Sequence, residues 1–211
     1  MFSLSERVLV VAPHTDDGEI AAGATISRLL RQGCRVFYLA LSSYKTPLPA
    51  GLPRDTLVNE VKAATQTLGI SPDDLIIRDF ETRRFSYQRQ DILDELIRLR
   101  PEIRPDLVLI PSADDLHQDH QTAAIEAIRA FKNISILSYE VPWNNIEFRN
   151  SMFVKVEEED VAKKLAALEK YESQRHRAYL SPEFIRSQLI FRGTQINTRY
   201  AEVFDAVRIV V

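Results

Sequence analysis

The feature that most constrains this chain is a regular alternation of short apolar runs with amphipathic helical patterns between Arg7 and Tyr139. Arg7 to Pro13 (RVLVVAP) reads as a buried strand, rich in valine and ended by proline. Glu19 to Arg31 follows with Ile20, Ala21, Ala24, Ile26, Leu29 and Leu30 at helical spacing, and Gly33 stands where a C-terminal cap favours glycine. Cys34 to Leu41 is a second strand, Thr56 to Leu68 a helix closed by Gly69, and Leu75 to Arg78 a weak third strand. Gln88 to Arg100 carries a helical stripe stopped by Pro101. Asp106 to Pro111 is a strong fourth strand, His120 to Phe131 a helix and Ile134 to Tyr139 a fifth strand. Such alternation implies right-handed βαβ units and a parallel sheet covered on both faces, the α/β class.

Beyond Tyr139 the rhythm breaks. Pro142 to Phe153 reads as an irregular excursion carrying the single tryptophan, Trp143. Glu157 to Gln174 reads as one long helix, opened by the acidic run Glu157 to Asp160. The apolar tail from Tyr200 to Val211 reads as an edge strand or hairpin. There is no repeat or linker, so one domain over residues 1–211 is the expectation.

A formal charge of −3 argues against broad nucleic-acid affinity, which needs a basic surface to displace counterions. No apolar run approaches the roughly 20 residues that span a bilayer. The stretch from Met1 to Arg7 has no secretory pattern, which makes a cytoplasmic location the expectation. Cys34 is the only cysteine and belongs to the core, so neither a disulfide nor a thiolate metal cluster is available.

In open α/β sheets, sites form beyond the carboxyl ends of the strands. The first strand runs into Pro13-His14-Thr15-Asp16-Asp17-Gly18-Glu19. The fourth runs into Asp114-Asp115-Leu116-His117-Gln118-Asp119-His120. Three of the four histidines lie in these two loops. Carboxylates at helix starts can serve simply as caps, Asp119 included. Capping does not require the histidines, however, and it leaves Asp16 and Asp17 as adjacent like charges that a cation would relieve. Imidazole nitrogen with one carboxylate oxygen is a donor set for catalytic zinc, and iron(II) accepts the same set. Asp16 is then available as the base for an attacking water. One of the paired histidines can serve as proton donor, its tautomer held by a carboxylate such as Asp119.

These motifs resemble a known family. PHTDDGE is similar to the AHPDDE-type signature, and HQDH to the HxDH signature, of the LmbE-like (PIG-L) zinc-dependent de-N-acetylases. The resemblance extends along the chain through Leu68-Gly69, Pro105 to Val108, Tyr171 to Gln174, Arg192-Gly193 and Tyr200 to Phe204. It implies a Rossmann-like, three-layer αβα fold with a mostly parallel sheet. It also implies metal ligation by His14, Asp17 and His120, with Asp16 as general base. His117 would stabilise the oxyanion and protonate the leaving amine, oriented by Asp119. The implied reaction is removal of an acetyl group from an N-acetylated amino sugar by water activated on zinc. Another amide or carbamoyl bond, or a non-catalytic sugar-binding role, stands as the alternative.

Thr15 replaces the family's usual proline. Leu57 stands where thiol-pathway members place a substrate-binding arginine, with Arg54 one turn earlier as a substitute. The Tyr139-Glu140-x-Pro142-Trp143 stretch instead resembles members linked to bacterial surface sugars. For the substrate itself, Arg54, Arg84 and Trp143 are the candidate contacts. Arg83 and Arg89 could line the same pocket, or all the arginines could form a solvated run; Trp143 could stack on a sugar ring or pack under the excursion. His176 reads as a solvated helix-end residue. A small-molecule sugar conjugate is the expected partner, and family members often form homo-oligomers.

Overall fold

The computed structural model describes residues 6–43 and 52–211, so most of the N-terminal stretch read for a secretory pattern lies outside the described residues. Among these residues seven strands form one sheet in the order β3-β2-β1-β4-β5-β7-β6. The strands are β1 (Arg7–Ala12), β2 (Arg35–Ala40), β3 (Leu75–Ile77), β4 (Leu107–Pro111), β5 (Ser135–Tyr139), β6 (Met152–Lys155) and β7 (Ala201–Arg208). The first five run parallel, and β7 enters antiparallel between β5 and β6. The tail is therefore an interior strand, and the edge belongs to β6, which emerges from the end of the excursion.

Among the described residues six α-helices, α1 (Asp17–Arg31), α2 (Thr56–Leu68), α3 (Arg89–Ile103), α4 (Gln118–Ala130), α5 (Glu158–Leu168) and α6 (Pro182–Thr194), accompany the sheet. Val8 to Ala12 are wholly buried, as expected for a strand covered on both faces. Alternate residues of β1 enter two apolar clusters: Val8, Val10 and Ala12 face α1 and α2, while Leu9 and Val11 face α3 and α4. This is a three-layer αβα frame, and its strand order reverses direction between β1 and β4.

Three helices also depart from the sequence expectation. Pro101 does not stop α3, which continues to Ile103 and ends on Arg104 at φ +49°. Pro101 gives up one hydrogen bond, to the residue 97 carbonyl, and the burial of Leu99 and Ile103 against the sheet offsets that loss. The long helix breaks at Leu168 rather than Gln174. Past that point Tyr171 turns inward to the Thr15 carbonyl (2.7 Å), and Ser173 binds the Glu60 carboxylate through its N–H (2.8 Å) and hydroxyl (2.7 Å). Helix α6 was not anticipated, although Ser181 caps it by accepting the Phe184 N–H and Pro182 opens it.

Gly18 shows how tightly β2 supports the loop after β1. A Cβ built there would lie 2.6–2.8 Å from the buried Tyr38 ring and hydroxyl, whose oxygen already accepts the Gly18 N–H (3.1 Å). Gly18→Ala should therefore destabilise the protein by about 1–3 kcal/mol, the usual cost of overpacking. For a chain of this size that lowers Tm by roughly 2–4 °C per kcal/mol, read by thermal unfolding. An unchanged Tm would show that Tyr38 can move aside.

Candidate active site

The loop from β1 into α1 and the loop from β4 into α4 meet where the strand order reverses, the position at which open α/β sheets bind ligands. His14 Nδ1, His120 Nε2 and Asp17 Oδ2 converge there in a near-equilateral triangle. Its edges are 3.3 Å between the imidazoles and 3.2 Å from the carboxylate oxygen to each. Donors about 2.0–2.1 Å from a tetrahedral metal are spaced about 3.3–3.4 Å apart, so this spacing fits an ion. The three imidazoles of His14, His117 and His120 also present nitrogens within 4.8 Å of one another, a looser set that can likewise hold a metal.

Each histidine of the triangle is held from behind. His14 Nε2 meets Asp119 Oδ2 at 3.1 Å, and His120 Nδ1 meets Asp115 Oδ2 at 2.8 Å. Both supporting carboxylates are fully buried. With the outer nitrogen of each ring protonated against its carboxylate, the inner nitrogen presents its lone pair to the centre. Asp115 was not singled out from the sequence. A carboxylate five residues before a candidate histidine ligand was the available signal, but its side chain also accepts the His117 N–H (2.8 Å), which a simple loop turn would explain equally well.

Asp119 occupies a different place from the one its neighbour suggests. Its carboxylate serves His14 and accepts the N–H groups of Arg83 (2.5 Å) and Phe85 (3.3 Å). His117 is oriented instead by the Asp119 backbone, whose N–H donates to His117 Nδ1 (3.1 Å). His117 thus caps α4, and that bond leaves Nε2 as the protonated nitrogen. Asp16, at the start of α1, makes no side-chain capping bond, while Asp17 Oδ2 accepts the His14 N–H (2.8 Å).

Burial and charge divide the titrating groups. Burial opposes the charged form of His14 and His120, but Asp17 with Asp119 raises the first to about 9, and Asp17 with Asp115 raises the second to about 10. Burial also works against the Asp17 carboxylate, yet His120 and His14 hold it well below its usual range. The triangle therefore favours positive charge at its centre, whether protons or a cation. Burial and the two neighbouring imidazoles push His117 down to about 4, which keeps it neutral. Burial and the Asp17 charge push Asp16 up to about 6, suited to taking a proton near neutral pH.

The loop rests on a buried platform. The hydroxyls of Tyr38 and Tyr171 lie 3.0 and 2.7 Å from the Thr15 carbonyl, and both contact the Glu19 carboxyl. Burial raises Glu19 to about 8.

A cleft of about 310 Å3 opens over the triangle, lined among others by Asp16, Thr82, Arg83, Trp143, Arg177 and Tyr179. Trp143 stacks on Tyr179 with centroids 3.7 Å apart. The other arginines singled out from the sequence stay outside. Arg54 is exposed before α2 and Leu57 lines the cleft in its place; Arg84 leans on Glu81 and Tyr87; Arg89 pairs with Glu126. His176 is exposed. Arg177 and Tyr179, in the polar stretch after α5, carried no periodicity that would have marked them.

Fold and site together define a hydrolase of the N-deacetylase class. The sequence profile of the PIG-L family, described as GlcNAc-PI de-N-acetylase, matches residues 9–132, and the chain belongs to that family. A protein of Escherichia coli K12 described as the uncharacterized deacetylase YaiS is 27% identical over 172 residues, covering 79% of this chain and 90% of its own. The N,N'-diacetylchitobiose deacetylase of Pyrococcus horikoshii has the same fold at TM-score 0.76 and 21% identity, with 97% of this chain and 84% of that one covered. So does GalB, the 4-carboxy-2-hydroxymuconate hydratase of Pseudomonas putida KT2440, at TM-score 0.77 and 22% identity, with 97% and 98% covered. A fold shared by a deacetylase and a hydratase does not choose the reaction; the site must. Among the described residues no helix is long and apolar enough to cross a membrane.

Proposed function

We propose that the protein is a zinc-dependent deacetylase of N-acetylated amino-sugar conjugates, acting as one domain in the cytoplasm. The observation that carries the reading is the triangle of His14, Asp17 and His120, with a buried carboxylate behind each imidazole. We take Asp17 rather than His117 as the third ligand, because its oxygen lies closer and His117 Nδ1 is engaged by the α4 backbone. Zinc held by these residues supplies a Lewis acid that acidifies water and polarises the acetamide carbonyl; iron(II) fits the same donors.

The chain supplies the remaining parts. Asp16 takes a proton from the attacking water. The neutral His117 donates its Nε2–H as a hydrogen bond to the developing oxyanion, and the proton that Asp16 has taken from water passes to the departing nitrogen. Water and the acetamide thereby give acetate and a free amine. Asp119 and Asp115 are positioning residues for the two histidine ligands, and Trp143 offers an aromatic face to a sugar ring.

The decisive experiment pairs metal content of the purified protein with acetate release from a panel of N-acetylglucosamine conjugates. About one zinc per chain with acetate release supports the reading. Metal without acetate from any conjugate would sink the choice of bond while leaving the site.

Asp115→Asn tests the support behind His120. It keeps the side chain's shape but removes the charge that orients the ring, so zinc affinity should fall about 10- to 100-fold. Competition with a chromogenic chelator measures this; undiminished affinity would mean that His120 needs no carboxylate.

A further inference from the structure

Arg83 and Arg177 are exposed side chains that reach the cleft by different routes, Arg83 from a fixed backbone and Arg177 through its guanidinium's aromatic contacts. Arg83 adopts φ +66°, a left-handed conformation that disfavours any residue with a Cβ. It is kept there by its N–H bond to the Asp119 carboxylate, the same carboxylate that supports His14. The next residue, Arg84, leans on Glu81 and over the Tyr87 ring, whereas the Arg83 guanidinium has no ion-pair partner among the described residues. On the opposite segment, the Arg177 guanidinium bonds the Tyr179 hydroxyl and lies 5.5 Å over that ring. Tyr179 is in turn stacked on Trp143 with an interplanar angle of 17°. Arg177 is therefore oriented by aromatic contacts and forms no ion pair among the described residues, although its charge acts on the Asp16 carboxylate in the same cleft. Guanidinium groups are weakly hydrated and present a planar fork that matches carboxylate and phosphate oxygens.

We propose that Arg83 and Arg177 form an anion subsite in the cleft, so that the substrate is an N-acetylated amino sugar bearing a phosphate or carboxylate group away from the reacting acetamide. This rests on the deacetylase reading above. The cleft then has two zones: the triangle with Asp16 and His117 handles the acetamide, while the arginines beside the Trp143–Tyr179 stack hold the appended oxyacid.

The test compares N-acetylglucosamine, N-acetylglucosamine 1-phosphate and an N-acetylglucosaminyl glycoside with a carboxylate-bearing aglycone. The zinc-loaded wild type and an R83Q R177Q variant of unchanged Tm are assayed side by side. In the wild type, kcat/KM for an anionic substrate should exceed that for N-acetylglucosamine by about 10- to 100-fold, and the variant should lose most of that ratio. Whichever anionic arm is preferred names the oxyacid. Calorimetric binding of the same three sugars is measured in parallel and does not depend on turnover. Tighter binding of an anionic sugar that weakens at least tenfold in the variant would sustain the subsite even if no acetate forms, in which case the deacetylase reading alone fails. Equal binding of neutral and anionic sugars by the wild type, or a preference that survives in the variant, would overturn the subsite whatever the acetate assay shows.

Discussion

Replacing Asp16 by asparagine is expected to lower kcat about 10^3-fold, within the span of general acid–base catalysis, while metal content stays at the wild-type value. The structure makes this substitution unusually clean. The Asp16 side chain caps none of the α1 N–H groups, so its loss does not unravel the helix start. Asparagine keeps the volume and polarity in the cleft but cannot accept the proton that burial and Asp17 prepare Asp16 to take. KM should move little, because the loss falls on the transition state. Retained turnover would mean that another group is the base. A parallel loss of metal would make Asp16 a ligand instead.

His120→Ala carries the second large effect. It removes one corner of the triangle and strands Asp115, a fully buried carboxylate, without its imidazole. Metal affinity should drop by more than the about 100-fold typical of a supporting residue, and acetate release should fall with it. His117→Ala provides the contrast that separates the two possible donor sets. With Asp17 as the third ligand, that variant keeps its metal and loses about 10^2- to 10^3-fold in kcat through the missing hydrogen bond to the oxyanion. If His117→Ala empties the site as thoroughly as His120→Ala does, the three imidazoles are the ligands.

Much of this was legible in the residues, and the boundary between what was and was not is physical. The parallel core was readable because strands buried on both faces must be near-continuous apolar runs, as in Val8 to Ala12. Helix α2 ran from Thr56 to Leu68 as its pattern and Gly69 implied. The breaks came wherever long-range contacts outweighed local periodicity. Nothing in the sequence between Leu168 and Gln174 forbids a helix; the pull of Tyr171 on Thr15 and of Ser173 on Glu60 ends it. The short strand β6 has meaning only beside β7, some fifty residues later. At the site, residue types and spacing gathered His14, Asp16, Asp17, His117, Asp119 and His120, but not which carboxylate faces which ring. That depends on side-chain direction, so Asp119 turned to His14 and Asp115 was overlooked. The arginines were harder still, because Arg83 and Arg84 are adjacent and only the backbone angle decides which one reaches the cleft.

His14 and His120 lie 106 positions apart in the chain, and an ion between them acts as a staple across the sheet. Bringing two such distant points together costs an unfolded chain roughly 4 kcal/mol in entropy, which the native sheet has already met by pairing β1 with β4. The unfolded polypeptide is therefore a poor competitor for the metal. Each tenfold excess of free ion over its dissociation constant then adds about 1.4 kcal/mol to the folded state. Metal supply would govern the lifetime of the protein as well as its turnover.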